Sequence, residues 1–153
     1  MTTKFSLTMD AADPLALGEF WAFALGYVRE PPPAPHATWE ETLTAWGLPT
    51  ERWNDANAIV DPDGLGPRIF IQKVPEAKTV KNRIHLDVRV SASPHDRDRA
   101  AMQTKADELV AAGATQQQIF DHPSMGYWIV MADPEGNEFC ILRSLAELDA
   151  AAG

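Results

Sequence analysis

Apolar and polar residues alternate at the start of the chain. Phe5, Leu7 and Met9 fall on one face and Ser6 and Thr8 on the other, the period-two pattern of a half-buried strand. Asp13-Pro14 then reads as an N-cap followed by proline at the first helical position. Leu17, Phe20, Trp21, Ala24 and Leu25 follow at helical spacing, with Gly26 as the stop, and predict an amphipathic helix. "ANAIV" and "RIFIQKV" (68–74) read as strands on either side of the turn Asp61-Pro62-Asp63-Gly64.

The same grammar then restarts. In "RIHLDVRV" (83–90) Ile84, Leu86, Val88 and Val90 alternate with His85, Asp87 and Arg89. Ser93-Pro94, with Asp96 three residues after the cap, opens a second helix whose apolar stripe is Met102, Ala106, Leu109 and Val110 and whose stop is Gly113. The apolar set of "RIHLDVRV" is expected to pack on that stripe. A strand near "TQQQIF" follows, then "YWIVMA", the turn Asp133-Pro134-Glu135-Gly136 and "NEFCILRS"; the tail "LAELDAAAG" is a short helix or a frayed end.

The order is β-α-β-β-β twice, with the two Asp-Pro-x-Gly turns 72 residues apart, Asp61 to Asp133. The starts of the two passes, Phe5 and Ile84, are 79 apart, and the difference places an insertion in the first pass. The natural candidate is about 31–57. It holds the proline-rich "REPPPAPHA", which cannot form regular structure, and "TWEETLTAWG", a short helix with a capping box at Thr38 and Glu41. The chain is therefore expected to be one domain over 1–153, with module one about 4–75 and module two about 82–143. Side by side, two such modules cover a strand edge and form a shared concave sheet.

Composition narrows the class. The 153 residues are 45% hydrophobic, enough for a packed core. Thirteen basic against 22 acidic residues give a net charge of −9, which argues against nucleic acid or an anionic membrane as partner. The single cysteine, Cys140, excludes an intrachain disulfide and a thiolate zinc cluster. The longest apolar runs, such as "FWAFAL", are far too short to span a bilayer, and "MTTKFSLTMD" lacks a signal-peptide apolar region, so a cytoplasmic location is expected. Five tryptophans suggest apolar surface to cover, and a homodimer is expected. No phosphate-cradling loop, dinucleotide fingerprint or nucleophile elbow occurs.

"KNRIHLDVRV", "LVAAGAT" and "ADPEGNEFCIL" resemble a glyoxalase-like domain of the vicinal-oxygen-chelate superfamily, which includes glyoxalase I, extradiol dioxygenases and bleomycin-resistance proteins. "LGEFWAFALGY" and "VDPDGLGPRIFIQKVPE" resemble the matching parts of the first module. The resemblance implies an α+β fold of two tandem βαβββ modules forming a half-open eight-stranded barrel with a concave central cavity. It also implies, in metal-dependent members, ligands on the first and last strand of each module. Carried over residue by residue, the first strand of module two offers His85 and that of module one offers Ser6. The last strand of module two offers Cys140 where a glutamate usually stands, with Glu138 two residues early. The cavity-facing residues of module one are Phe70 and Gln72. One good donor falls short of the roughly three a catalytic ion needs, so no metal and no other cofactor are expected.

The candidate residues follow from strand parity. His85 is a candidate proton shuttle or ligand contact, against the reading of a core histidine. Asp87 would orient His85 or a ligand, or pair with Arg83 or Arg89. Cys140 is a reactive thiol or a small buried filler. Phe70, Gln72 and Trp128 would line a pocket, although parity alone leaves open whether Trp128 and Val130 or Tyr127 and Ile129 face inward. Trp39, Trp46 and Trp53 form a lid or fasten the insertion to the body. The leading function is binding of a small organic ligand without an obligatory metal. The alternatives are an enzyme of lyase, isomerase or dioxygenase type using His85, and a non-catalytic accessory protein with a vestigial cavity.

Overall fold

The computed structural model describes residues 3–90 and 95–143. They form two compact units, Met1–Ala77 and Lys78–Gly153. The first contains β1 (Leu7–Ala11), α1 (Pro14–Leu25), β2 (Val28–Arg29), α2 (Trp39–Ala45), a single 3-10 turn (Thr50–Arg52), β3 (Ala56–Val60) and β4 (Ile69–Lys73). The second contains β5 (Asp87–Val90), α3 (His95–Ala111), β6 (Thr115–His122), β7 (Gly126–Ala132) and β8 (Glu138–Arg143). Each unit has one four-stranded sheet, ordered β1-β4-β3-β2 and β5-β8-β7-β6. In both, the first strand crosses over through a helix and lies parallel to the last, while the other pairs are antiparallel. The doubled β-α-β-β-β order read from the sequence is thus the observed α+β topology.

The first core forms because α1 and the sheet bury matching faces. Leu17, Phe20, Trp21 and Ala24 of α1 are buried, as are Ile59, Ile69 and Ile71 of β3 and β4. Asp13 caps α1 by accepting from the Ala16 amide (3.1 Å), and Gly26 ends it at φ 72°. The insertion is tied to the same helix end. Asn54 accepts from the Leu15 amide (2.9 Å) and donates to Asp13 (2.7 Å). Within the insertion, Thr38 accepts from the Glu41 amide (3.1 Å) and Glu41 accepts from the Ala37 amide (2.8 Å). The second core consists of Met102, Ala106 and Leu109 of α3 against Val88, Ile129, Met131, Phe139 and Ile141.

The two Asp-Pro-x-Gly turns are built alike. Asp61 accepts from the amides of Asp63, Leu65 and Gly66, and Asp133 from those of Glu135 and Asn137. Gly64 and Gly136 each close the turn at positive φ, 69° and 85°.

Three details differ from the sequence reading. Ile84 does not pack on α3: it is 81% exposed, because β5 begins only at Asp87 and residues 83–86 precede the ladder. Val110 is likewise exposed, since three buried positions already fill the stripe of α3. Of the five tryptophans only Trp46 is exposed; Trp21 is buried and Trp39, Trp53 and Trp128 are half-buried. The tryptophan count is therefore no sign of uncovered apolar surface. The Ser93-Pro94 cap and the "LAELDAAAG" tail lie outside the described residues.

Candidate functional site

Each sheet has one face covered by its helix and one turned away from it. On the second sheet, strand register decides which side chains share the open face. Val130 of β7 pairs with Cys140 of β8, and Cys140 pairs with Asp87 of β5. Directly opposed residues point the same way, so the three stand in one row. Their sequence neighbours Ile129, Ile141 and Val88 are buried on the helix side. Trp128 has the parity of Val130 and stacks on Phe120 of β6, with centroids 4.8 Å apart and planes 12° apart. The inward set left open by sequence parity is thereby decided: Trp128 and Val130 take the open face.

Phe120 reaches that face through a β-bulge. Gln116 pairs with Met131 and Gln118 with Val130, so one extra residue lies between them. Without it, Phe120 would share the side of Gln116, which bonds Gln103 of α3 at 3.0 Å. Nothing in "TQQQIF" marks the bulge, so parity counting missed Phe120.

His85 lies two residues before β5. Its Nε2 stands 3.8 Å from Oδ1 of Asp87, and the two side chains are 42% and 39% exposed. The ligand-capable atoms of His85, Asp87 and Cys140 all lie within 4.8 Å of one another. The structure thus brings together three of the residues singled out from sequence. Burial first, and then the Asp87 carboxylate, push the Cys140 thiol above its ordinary pKa, with Lys81 opposing. Left to itself the thiol is a weak nucleophile.

Glu138 is committed elsewhere. Its carboxylate accepts from the Asn82 amide (3.0 Å) and pairs with Lys78 (3.1 Å), and Lys78 also donates to the Val80 carbonyl. The Asn82 amide is the largest of the influences that hold Glu138 down to about 2. Glu138 therefore anchors the 78–82 segment that leads to His85.

Phe70 and Gln72 belong to the first unit. They take the open face of its sheet, beside Thr8 and Asp10 in register. Gln72 is exposed and donates to Asp10 (2.9 Å); Phe70 is half-buried under the Arg68 guanidinium, 5.4 Å from its ring centre. Arg68 is held by a two-pronged pair with Glu30, at 2.7 and 2.6 Å. Trp39 donates to the Glu30 carbonyl (2.7 Å), which ties segment 31–57 to the residue after β2, while Trp53 donates to the Leu48 carbonyl (3.0 Å) within that segment.

A family model, glyoxalase-like domain, matches residues 6–142. The chain belongs to the glyoxalase-like domain family, within the vicinal-oxygen-chelate superfamily. This glyoxalase-like protein matches no curated protein by sequence. Its fold is similar to that of a glyoxalase/bleomycin resistance protein/dioxygenase family enzyme from Burkholderia phytofirmans PsJN, at 16% identity and a TM-score of 0.60 over 92% of this chain and 97% of that one. It is also similar to the genomically encoded fosfomycin resistance protein FosX of Listeria monocytogenes, at 9% identity and a TM-score of 0.61 over 96% and 97%. A third likeness is to the bleomycin-binding protein of Streptomyces verticillus, solved with copper(II)-bleomycin, at 14% identity and a TM-score of 0.52 over 94% and 98%. At these identities the likeness shows the fold and not a shared ligand. Among the described residues, no helix is long and apolar enough to cross a membrane.

Metal-dependent members of this superfamily imply an ion, and the donor set is the test of fit. The sequence reading counted one good donor, His85. In the fold, an imidazole nitrogen, a carboxylate oxygen and a sulfur converge. That set fits a borderline or soft ion better than a hard one, which favours oxygen ligands.

Proposed function

We propose that this glyoxalase-like protein binds a small organic molecule, uncharged or weakly polar, on the open face of the second sheet. The observation that carries the reading is the combination of groups on that face. A stacked aromatic pair, Phe120 and Trp128, stands on the same face as Val130, Cys140 and Asp87, with His85 beside them. Aromatic and aliphatic surface holds a flat or apolar body, and a few placed polar groups fix its orientation. Phe70 and Gln72 supply a similar pairing of ring and amide on the open face of the first sheet. The bleomycin-binding and fosfomycin-resistance relatives make bleomycin and fosfomycin reasonable first probes. The net charge of −9 disfavours the anionic phosphonate of the two.

A second reading is favoured by one contact. His85 stands 3.8 Å from the Asp87 carboxylate, close enough for a small side-chain rotation to bring the two into hydrogen-bond reach, so a lyase or isomerase step at His85 is the alternative.

The test is a titration with both probes and a panel of small aromatic metabolites, followed by tryptophan fluorescence and thermal shift. A binder is expected to raise the melting temperature and perturb the fluorescence. Trp128→Ala is expected to weaken that binder at least about tenfold, in line with the loss of an aromatic contact. His85→Ala is expected to weaken it while leaving the melting temperature of the free protein nearly unchanged, because the side chain is 42% exposed. Binding that survives both substitutions, or a His85→Ala protein that no longer folds, overturns the reading.

A further inference from the structure

The second sheet has an edge that ligand binding does not use. We propose that β6 pairs with the β6 of a second copy of this chain, antiparallel about a two-fold axis at Phe120, and so joins the two sheets into one.

β6 ends the order β5-β8-β7-β6, so among the described residues one of its edges has no strand partner. It is eight residues long, and all but Gln116 and Phe120 are exposed. The other strands at sheet ends are shorter or carry charge, the usual guards against edge pairing. β2 has two residues, β1 holds Asp10, and β5 holds Asp87 and Arg89. β6 has no proline, and no charged side chain from Thr115 to Phe120. Asp121, which follows, is neutralised by Arg99 at 2.8 Å. The bulge between Gln116 and Gln118 disturbs the strand upstream only. From Gln118 to His122 the strand pairs one to one with Val130 to Gly126 of β7. This regular stretch presents an open row of backbone donors and acceptors on its outer side.

Charge selects the occupant. Each copy carries −9, so two copies repel one another, and least where the surface is uncharged. A basic partner would find no carboxylate row on this edge to read. The side chains then favour an identical strand. With Phe120 on the axis it stands opposite the Phe120 of the second copy, and the stacked pair Phe120–Trp128 extends into a row of four rings on the open face. The pairing spans 118–122 in both copies and stays clear of the bulge. On the helix side, Ile119 lies opposite the buried Ile129 yet is 44% exposed, and the second copy covers it. The two-fold pairing uses the edge up, so assembly through it stops at two copies. The open faces of the two second sheets then adjoin, and each copy sets an aromatic side chain beside the other's candidate ligand surface.

The experiment uses the full-length protein with no ligand present. Sedimentation from about 1 μM to about 1 mM should show a reversible equilibrium between monomer and dimer and no larger species. Association should tighten as salt rises from about 0.01 to about 0.15 M, because screening reduces the repulsion between two copies of charge −9. Amide exchange within 118–122 should slow as the protein concentration rises, while that of Thr115, ahead of the bulge, should not change. Gln118→Glu combined with Ile119→Glu, both at exposed positions, should weaken association at least about tenfold. Phe120→Cys should form a disulfide between copies on mild oxidation, because directly opposed residues of antiparallel strands lie within disulfide reach. The parent, whose single Cys140 is half-buried on β8, should not. A monomer across the whole range, a dimer whose exchange at 118–122 does not depend on concentration, association indifferent to the two glutamates, or no disulfide in a folded Phe120→Cys protein overturns the proposal. Should Phe120→Cys fail to fold, the exchange measurement on the unaltered protein decides. Failure here leaves the ligand reading intact, because the test involves no ligand.

Discussion

At the scale of single residues, position along the chain says less than partnership. Glu138 and Cys140 share one face of β8 and differ in fate. Glu138 is drawn into a bond with Asn82, 56 residues away in sequence, and Cys140 into a row with Asp87. Parity placed both correctly; their partners were invisible, because strand pairing joins segments that no local pattern connects. Glu138→Gln keeps the size of the side chain and removes its charge. The amide oxygen can still accept from Asn82, but the charge-assisted component and the Lys78 pair are lost. A destabilisation of about 1 kcal/mol is expected, read as a lower urea midpoint at neutral pH. If the midpoint does not move, the 78–82 segment is not held by this carboxylate.

At the scale of elements, α1 and β3 fit closely. A Cβ built at Gly18 would stand 2.1 Å from the side-chain nitrogen of Asn57. That nitrogen donates to the Pro14 carbonyl (3.2 Å), and the Asn57 oxygen accepts from the Ala58 amide (2.9 Å), so this buried side chain cannot withdraw without loss. Gly18→Ala improves helix propensity by roughly 1 kcal/mol, but overpacking costs about 1–3 kcal/mol. The clash should win, and the melting temperature is expected to fall. A protein at least as stable as the parent would mean that Asn57 yields easily. Residues 14–25 were legible as a helix from spacing and caps, whereas the need for glycine at 18 was not, because its cause sits on another strand. The bulge in β6 is the same kind of feature. The insertion divides likewise: its capping box was readable, but the attachment of Asn54 to the start of α1 was not.

At the scale of the whole molecule, acid stability gathers several local causes. Among the described residues, four carboxylates are held below their ordinary range. Asp13 is lowered first by the Asn54 side chain, Glu30 by the Arg68 side chain, Asp61 by the Asp63 amide and Glu138 by the Asn82 amide. A group whose folded pKa is depressed adds stability above its unfolded value and loses it as pH falls through the folded value. The contribution is therefore complete above the ordinary values of 3.8 for Asp and 4.5 for Glu, and it declines until Glu138 protonates at about 2. Urea midpoints measured from about pH 6 downward should fall steeply across this window. Glu138→Gln should flatten the lower part of the curve. A flat profile to pH 2 would show that these contacts do not act in solution.

The doubled β-α-β-β-β order and the matched Asp-Pro-x-Gly turns were determined by the sequence alone. Each rests on interactions between residues close along the chain: period, caps, proline and glycine. The convergence of His85, Asp87 and Cys140, the stacking of Phe120 on Trp128 and the commitment of Glu138 to Asn82 and Lys78 were decided only by tertiary structure. These depend on register across strands, and a single bulge or a strand that begins four residues late changes which side chains meet.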